Sequence, residues 1–578
     1  MDKKGSRIKR VHAERHTKRQ FKGNRYTVEQ DTSFTSTSAE KLQNRRDMDV
    51  AISKEFGYCI LNFFSVFSAI ASSVICKICK KNIKFYQTAN RSLGFKIVMQ
   101  CKCGEQLINS CPLIDKAFEI NRRIVFIMRL LGIGREEINL FCGLMDFSQG
   151  LALKTYYACL ENIHLAVSSI YDSIIKSAVE EEKTKNAEAG NPENNLTVSG
   201  DGTWKKRGFS SLFGVTTLIG KYSKKMLDTV VKSSFCQACN MWKNKKNDAI
   251  HEFDEWYKSH EENCTINHIG SAGKMEIDAV TEMFLRSTEK HGVKYATYIG
   301  DGDSKTFKGI LDANPYGEEL IVRKKECVGH VEKRMGTRLR NVKKANKGIG
   351  GKGAGKLTDK VIGELTKYYG LAIRRHPHSV AEMKKAIWAT YYHKSSTDEK
   401  PQHMYCPSGS DSWCKWRKAE ANNTLQNFSH DQASLNDTVL KVIKPIYETL
   451  SSDDLLERCL GAATQNSNES LNSLIWTFAP KHIHSGPKTV EIANFLAVII
   501  FNEGFLSILK TLSVMGVTVG QQAQIYANSR DESRIDRSEK RSTDAAKKAR
   551  ITTREEKSAE QDFFEHEEGL LYGPELAD

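Results

Sequence analysis

The sequence predicts an α/β protein: a mixed sheet with flanking helices, interrupted by an all-helical insertion and preceded by a small cysteine-bearing module. Three observations carry this. Apolar strand-like runs over 196–204, 209–220 and 226–233 are joined by short polar turns. They give way to helical runs over 275–290, 306–313 and 330–344 that alternate with strand-like runs over 295–300 and 318–324. That rhythm stops over 346–460, where helical patterns such as 381–392 and 437–450 take over, and resumes at 461. Ahead of it all, Cys76-Lys-Ile-Cys79 and Cys101-Lys-Cys103 bracket an alternating apolar stretch.

At 578 residues the chain is too long for one core, and several modules are expected. A net charge of +16 points to an acidic polymer as partner, nucleic acid before membrane. Fifteen cysteines with CxxC spacings argue for thiolates on metal rather than disulfides. No secretory signal opens the chain. The uncharged stretch from Gly57 to Cys76 carries Asn62, Ser65, Ser68, Ser72 and Ser73, so a buried helix is expected there and no membrane partner. Lys3-Lys4, Arg7, Lys9-Arg10 and Lys18-Arg19 fit a nuclear import signal or a DNA-touching arm as well as a plain solvated tail, and the nucleus is the expected location.

In order, residues 1–50 predict a disordered basic tail. Residues 51–112 predict a zinc-ribbon-like module in which Cys76, Cys79, Cys101 and Cys103 close a tetrahedral structural Zn²⁺ shell. Four buried thiols are the alternative, and Cys111 is a substitute ligand. Residues 113–190 predict helices over 120–131 and about 153–183, then a linker. The first helix suits DNA contact or, as is commoner for such a pattern, a core-facing stripe.

Residues 191–345 carry the first part of the sheet, with an insertion over 234–268. There Cys236, Cys239, His260 and Cys264 have C-x2-C-x20-H-x3-C spacing, suited to a second Zn²⁺. The Gly/Lys run from Lys347 to Lys356 lacks P-loop spacing and predicts a flexible basic loop. Within the insertion 346–460, His393, His403, Cys406 and Cys414 are a third, looser set that could share ligands with Cys327 and His330. Residues 461–527 return to the sheet, and 528–578 predict a charged tail, helical or disordered.

The chemistry concentrates in two similar stretches, Val198-Ser-Gly-Asp-Gly-Thr-Trp204 and Tyr298-Ile-Gly-Asp-Gly-Asp-Ser304. Each strand delivers an aspartate between glycines, which leave room for a metal or phosphate. The order of three strands, helix, strand, helix, strand, helix is that of a ribonuclease H-like fold. Its first and fourth strands lie adjacent, which would bring Asp201 and Asp301 together. Asp303 would share a strand face with Asp301 and is a second-choice ligand. Asn466-Ser-Asn-Glu469-Ser-Leu-Asn472 puts Asn466, Glu469 and Asn472 near one helical face, with Leu471, Leu474 and Ile475 buried. That aims a carboxylate into a site, a solvated helix face being the plainer meaning.

As an ordered set, several motifs resemble the Mutator-like transposases over about 55–525: Ser199–Trp204, the Cys236/Cys239/His260/Cys264 insertion, Gly270–Glu276, Gly300–Lys305 and Glu326-Cys-Val-Gly-His330. His403-Met-Tyr-Cys-Pro407 with Ser412-Trp-Cys414, Asn468-Glu-Ser-Leu-Asn472 and a terminal Tyr572-Gly extend the likeness. The resemblance implies a ribonuclease H-like core with an all-helical insertion before its last acid. It implies the catalytic set Asp201, Asp301 and Glu469 on Mg²⁺ or Mn²⁺, and it makes Cys327 and His330 a CxxH signature with possible Zn²⁺ ligation. Lys205, Lys206, Arg207, Arg334, Arg338 and Arg340 would hold the phosphates of double-stranded DNA. The function expected is cutting element ends and joining 3′-hydroxyls to target DNA, in a homo-oligomer by analogy. A domesticated DNA-binding descendant without cleavage, or a nuclease without strand transfer, are the alternatives.

Overall fold

β-Branched and apolar runs that are buried on both faces build the central sheet of this protein, seen in a computed structural model. The structure describes residues 36–543, apart from 44, 46–48, 207–210, 244–249, 302–303, 352 and 431–432, together with 545, 546 and 549. The basic arm, Arg207, Asp303 and Tyr572 lie outside the described residues.

The end of the expected disordered tail is a helix, α1 (Thr37–Gln43), followed by β1 (Ile52–Ser53). Lys41 is buried with its ammonium 3.4 Å from the centre of the Phe501 ring, which fastens α1 to the body. α2 (Phe63–Ser73) is the uncharged stretch, yet Phe63 is its one buried residue. It leans on the next sheet through the ring pairs Phe63–Phe95 and Phe67–Phe85. No helix among the described residues is long and apolar enough to cross a membrane.

β2 (Lys84–Arg91), β3 (Gly94–Cys101) and β4 (Gly104–Asn109) form an antiparallel meander, one strand more than the hairpin expected. β5 (Leu113–Ile114) and β6 (Ala117–Phe118) lead into α3 (Glu119–Leu130), α4 (Arg135–Leu144) and the 36-residue α5 (Leu153–Glu188). α3 is core-facing, with Val125 and Phe126 fully buried. α5 runs through the first part, to Glu188, of the stretch from Lys183 to Asn195 expected as linker. Its polar residues there satisfy backbone: Glu182 accepts from the N–H groups of Tyr222 and Ser223, and Asn186 donates to the carbonyls of Pro192 and Asn195.

The central sheet has the order β11-β10-β7-β8-β9. β7 (Asn195–Trp204), β8 (Phe213–Gly220) and β9 (Met226–Ser233) are antiparallel, while β10 (Lys294–Gly300) runs parallel to β7 and to β11 (Arg323–Glu326). β11 starts later than the strand expected from 318, because Gly317–Glu319 is a 3-10 turn. α6 (Gln237–Met241) and α7 (Ile250–His260) form the insertion after β9, and α8 (Ala272–His291) and α9 (Ser304–Ala313) flank β10 in sequence.

A second hydrophobic core begins at Val328. It is built by α10 (Val328–Ala345), α11 (Asp359–Arg375), α12 (Val380–Ser395), α14 (Asp437–Leu450) and α15 (Asp453–Cys459), with the short α13 (Lys415–Ala421) before α14. α16 (Asn466–Phe478), α17 (Pro487–Glu503) and α18 (Leu506–Val514) return to the first core. β12 (Val519–Gly520) then pairs in parallel with β1, and α19 (Gln521–Ser542) follows.

The expected charged tail from 528 is therefore the second half of a docked helix. Arg534 donates to the carbonyls of Ile500 and Phe501 at the end of α17, and the buried Asp531 accepts from the N–H groups of Phe505 and Leu506 at the start of α18. These are the helix-terminal groups that lack intrahelical partners.

α8 is tied to β9 by Asp228, which is fully buried and accepts from Arg286 at 2.7 and 3.0 Å, with Lys290 at 2.9 Å and His291 at 3.7 Å. Burial alone would raise its pKa, but His291, Arg286 and Lys290 outweigh that and hold it well below the usual carboxylate range. Its stabilising contribution is present above about pH 4 and is lost as the pH falls below that. In urea titrations Asp228→Ala is expected to cost about 3 kcal/mol, the low end for a broken buried pair because Arg286 and Lys290 reach solvent. The Asp228→Asn variant should lose this part of the acid-side slope.

Candidate active site and metal centres

Successive residues of β7 point to opposite faces. Ser199, Asp201 and Thr203 face α16, and each meets a side chain of it. Ser199 Oγ donates to Asn468 Oδ1 at 2.9 Å, Asn472 Nδ2 donates to Asp201 Oδ2 at 2.7 Å, and Trp476 Nε1 donates to Thr203 Oγ1 at 2.8 Å. Four helical residues rise about 6.0 Å and two strand residues about 6.6 Å, so 468, 472 and 476 stay in step with 199, 201 and 203. Asn468 Nδ2 also donates to the Ser199 carbonyl at 3.1 Å, and Gln465 Nε2 to the Gly200 carbonyl at 2.6 Å.

On the opposite face Trp204 Nε1 donates to the Ala272 carbonyl of α8 at 2.9 Å. A Cβ at Gly200 would meet the Tyr298 ring at 2.4 Å, and one at Gly202 would meet the Glu276 carboxylate at 2.6 Å. The glycines flanking Asp201 were expected to leave room for a metal or phosphate. Protein side chains fill that space, so these glycines serve the packing of β10 and α8 onto β7.

Asp301 follows β10 directly. Ile299 pairs with Ser199, so two residues further along both parallel strands Asp301 comes beside Asp201. Glu469 is exposed on α16, between Asn468 and Asn472. Asp201 has its pKa pushed up to about 7, by burial first and then by Asp301 and Glu469, against the Gly202 N–H and Asn472. The three acids thus share one electrostatic field. Asn466 is exposed rather than aligned with Asn472, and Asn468 takes the inward position.

His330 lies beside this site. Burial and Lys333 lower its pKa, and the Asp301 and Glu469 carboxylates oppose them. Glu326, at the end of β11, is a member of the same wall that the sequence did not single out as a site residue. It is buried and binds Arg334 at 2.7 Å, and Arg334 Nη2 also reaches the Asp301 carbonyl at 3.5 Å. Its only mark in the sequence is its place directly before the CxxH.

Three Cys/His groups bring their ligand atoms within 4.8 Å of one another among the described residues: Cys76/Cys79/Cys101/Cys103, Cys236/Cys239/His260/Cys264 and His393/His403/Cys406/Cys414. Tetrahedral Zn–S bonds of about 2.3 Å would put sulfurs about 3.8 Å apart. Cys76–Cys101 at 3.5 Å, Cys76–Cys103 at 4.0 Å and Cys239–Cys264 at 3.5 Å suit that. The third group is complete without Cys327 and His330, correcting the expectation that they share it. Cys327 is buried at the start of α10 and His330 turns to the carboxylates instead. Behind the third group His403 Nε2 is 2.9 Å from Ser396 Oγ and 3.0 Å from His430 Nε2, and His430 Nδ1 is 2.5 Å from Asp398. Such outer partners orient a ligating imidazole.

The expected phosphate-binding cations divide. Lys206, Arg338 and Arg340 are exposed. Arg334 is engaged by Glu326. Lys205 is buried, its ammonium has no hydrogen-bond partner, and burial followed by Arg129 and Lys206 lowers its pKa to about 8. It is unsuited to touching DNA where it stands.

A family model described as Mutator-like transposase matches residues 57–414, more than half of the chain. No curated protein and no solved structure matches it.

Elemental analysis of the purified chain is expected to find three zinc ions per molecule, one for each Cys/His group. Cys79→Ser, Cys239→Ser and Cys406→Ser should each lower the count by about one, because thiolates in a closed shell hold structural zinc. Cys327→Ser should leave it unchanged.

Proposed function

The chain belongs to the Mutator-like transposase family, and from that premise we propose that it is a DNA transposase acting through Asp201, Asp301 and Glu469. It cuts the ends of its element and joins the freed 3′-hydroxyls to target DNA. The observation that carries this is Asp201 on the middle strand of the sheet, oriented by Asn472, with its pKa raised by burial first and then by Asp301 and Glu469. The sheet supports a ribonuclease H-like core: three antiparallel strands, then two parallel ones added on the side of the first.

The donor set fits divalent magnesium or manganese, which favour carboxylate oxygens. When bound, such ions supply activation of the attacking hydroxyl and stabilisation of the leaving oxygen. The residues supply the rest. Asn472 holds Asp201 through Oδ2 and so orients the carboxylate. Asp201 has to release its proton before it can ligate, so ion binding weakens as the pH falls through about 7. Glu326 holds Arg334 beside the Asp301 carbonyl.

The test is incubation of the protein with Mg²⁺ or Mn²⁺ and labelled DNA that carries the element's ends. Cleavage with joining supports the proposal. Cleavage alone indicates a nuclease, and binding alone a descendant that no longer cuts. Asp201→Asn, Asp301→Asn and Glu469→Gln should each lower cleavage by at least about a thousandfold, the several kcal/mol a catalytic ion contributes. DNA affinity in the same variants should hold.

In binding titrations against salt, Arg338→Ala and Arg340→Ala should each reduce the slope of log K against log salt by about 0.9, one phosphate contact apiece. Lys205→Ala should leave that slope unchanged, since its ammonium is buried.

A further inference from the structure

α4 carries apolar side chains on two opposite faces. Ile138 and Cys142 point inward and are fully buried. Leu140 and Leu144, each about 200° round the helix from one of them, point outward and stand 62% and 79% exposed. A helix that is apolar on both sides belongs in an interior rather than at a surface. Gly143 lies beside the two leucines on the outward side and is itself exposed. A Cβ there would meet no neighbouring group within 4 Å.

The apolar surface continues beyond α4. The Phe141 and Phe147 rings meet edge-on with centres 5.9 Å apart, and both are exposed. The loop after α4 folds back along it: the Leu151 N–H donates to Asn139 Oδ1 at 2.7 Å, and Arg135 Nε donates to the Leu151 carbonyl at 2.9 Å. α5 therefore starts beside α4, and the exposed Leu153 and Tyr157, one turn apart, extend the same patch. These six large side chains leave on the order of 500 Å² of apolar surface open. A standard interface covers about 800 Å² on each partner, and between identical subunits about 65% of it is apolar. The patch is thus the size of one side of a dimer. Glu136, Glu137 and Asp146 are exposed round its edge, which disfavours a polyanion such as nucleic acid as the occupant.

We infer that this face is where a second copy of the chain docks, α4 against α4 across a two-fold axis beside Gly143. A two-fold contact needs one patch that carries both a projection and a recess to match it. Leu140 and Leu144 are the projections and Gly143 is the recess, so the leucines of each copy fill the space over the glycine of the other. The inference takes nothing from the proposed chemistry, because the three acids and the Cys/His groups stand on other elements.

Light scattering and sedimentation of the full chain at micromolar concentration test it. The wild type should show twice the chain mass. Leu140→Lys combined with Leu144→Lys should raise the dimer dissociation constant by at least about a hundredfold, the scale of losing a central apolar anchor. The zinc count and melting temperature of that variant should hold, because both side chains face solvent within one chain. Leu165→Lys is the control: Leu165 is also exposed but lies about 18 Å further along α5 than Leu153, and the dimer should persist. Gly143→Cys under mild oxidation should give a disulfide-linked dimer that the wild type does not form. A monomeric wild type, or a dimer that survives the double substitution, overturns the assignment of this face. So does a dimeric Gly143→Cys chain that yields no linked product. Each of these outcomes leaves the transposase reading standing, since DNA cleavage tests that separately.

Discussion

The structure turns on a match of periods between one helix and one strand. α16 meets β7 through Asn468, Asn472 and Trp476, set against Ser199, Asp201 and Thr203. These segments lie about 270 residues apart in the chain. Because four helical residues and two strand residues cover nearly the same length, one contact in register brings the next two with it. Glu469 has no bond in this ladder among those described above. Its position is a consequence of its neighbours: Asn468 is fully buried and Asn472 is bound to Asp201, so the residue between them must present itself at the edge of the same site. Buried amides suit this better than apolar residues would. Asn468 both accepts from the Ser199 hydroxyl and donates to its carbonyl, so a helix shifted by one residue would strand those groups without partners.

That arrangement also tells why the long insertions are tolerated. The segment with α6 and α7 leaves after β9, and the helical layer leaves after β11 and rejoins just before α16. The helical layer owns a hydrophobic core of its own, and the smaller insertion has a Cys/His group at its base. Neither has to draw on the ladder for stability. A short segment too small to bury a core gains its cohesion from metal ligation instead.

The net charge of +16 pointed to a nucleic-acid partner, but many of the cations behind it are engaged within the protein. Lys225 is buried between Glu181 and Glu503, Arg534 caps a helix, Arg334 braces Glu326, and Lys205 is enclosed. Charge is legible in a sequence, but whether a cation faces solvent depends on partners far away in the chain. The same distinction runs through the rest. Strand periodicity, CxxC spacing and the Gly-Asp-Gly pair were legible because each is set by neighbours in sequence. The continuation of the helix past 183 and the docking of the charged helix after 528 were not, because Glu182, Asn186, Asp531 and Arg534 are polar residues whose work is to satisfy distant backbone. In composition they resemble solvent-facing residues. Asn468 was passed over for the same reason: spacing picked out Asn466, and only burial distinguishes the two.

The stretch from Glu326 to His330 shows how the two layers are joined at the acids. The Cys327 N–H donates to the Gly300 carbonyl at 3.1 Å, at the end of β10 and directly before Asp301. The Val328 N–H donates to the Ala463 carbonyl at 2.9 Å, just before α16 begins. α10 thus starts where the strand that delivers one acid and the helix that delivers another both end their free loops. Its first turn carries no acidic residue, and its start is the positive end of the helix dipole. Asp201 has its pKa raised there by burial first and then by Asp301 and Glu469. The helical layer is therefore more than a passenger on the sheet: its start is hydrogen-bonded to the strand end that precedes Asp301 and to the loop that precedes α16.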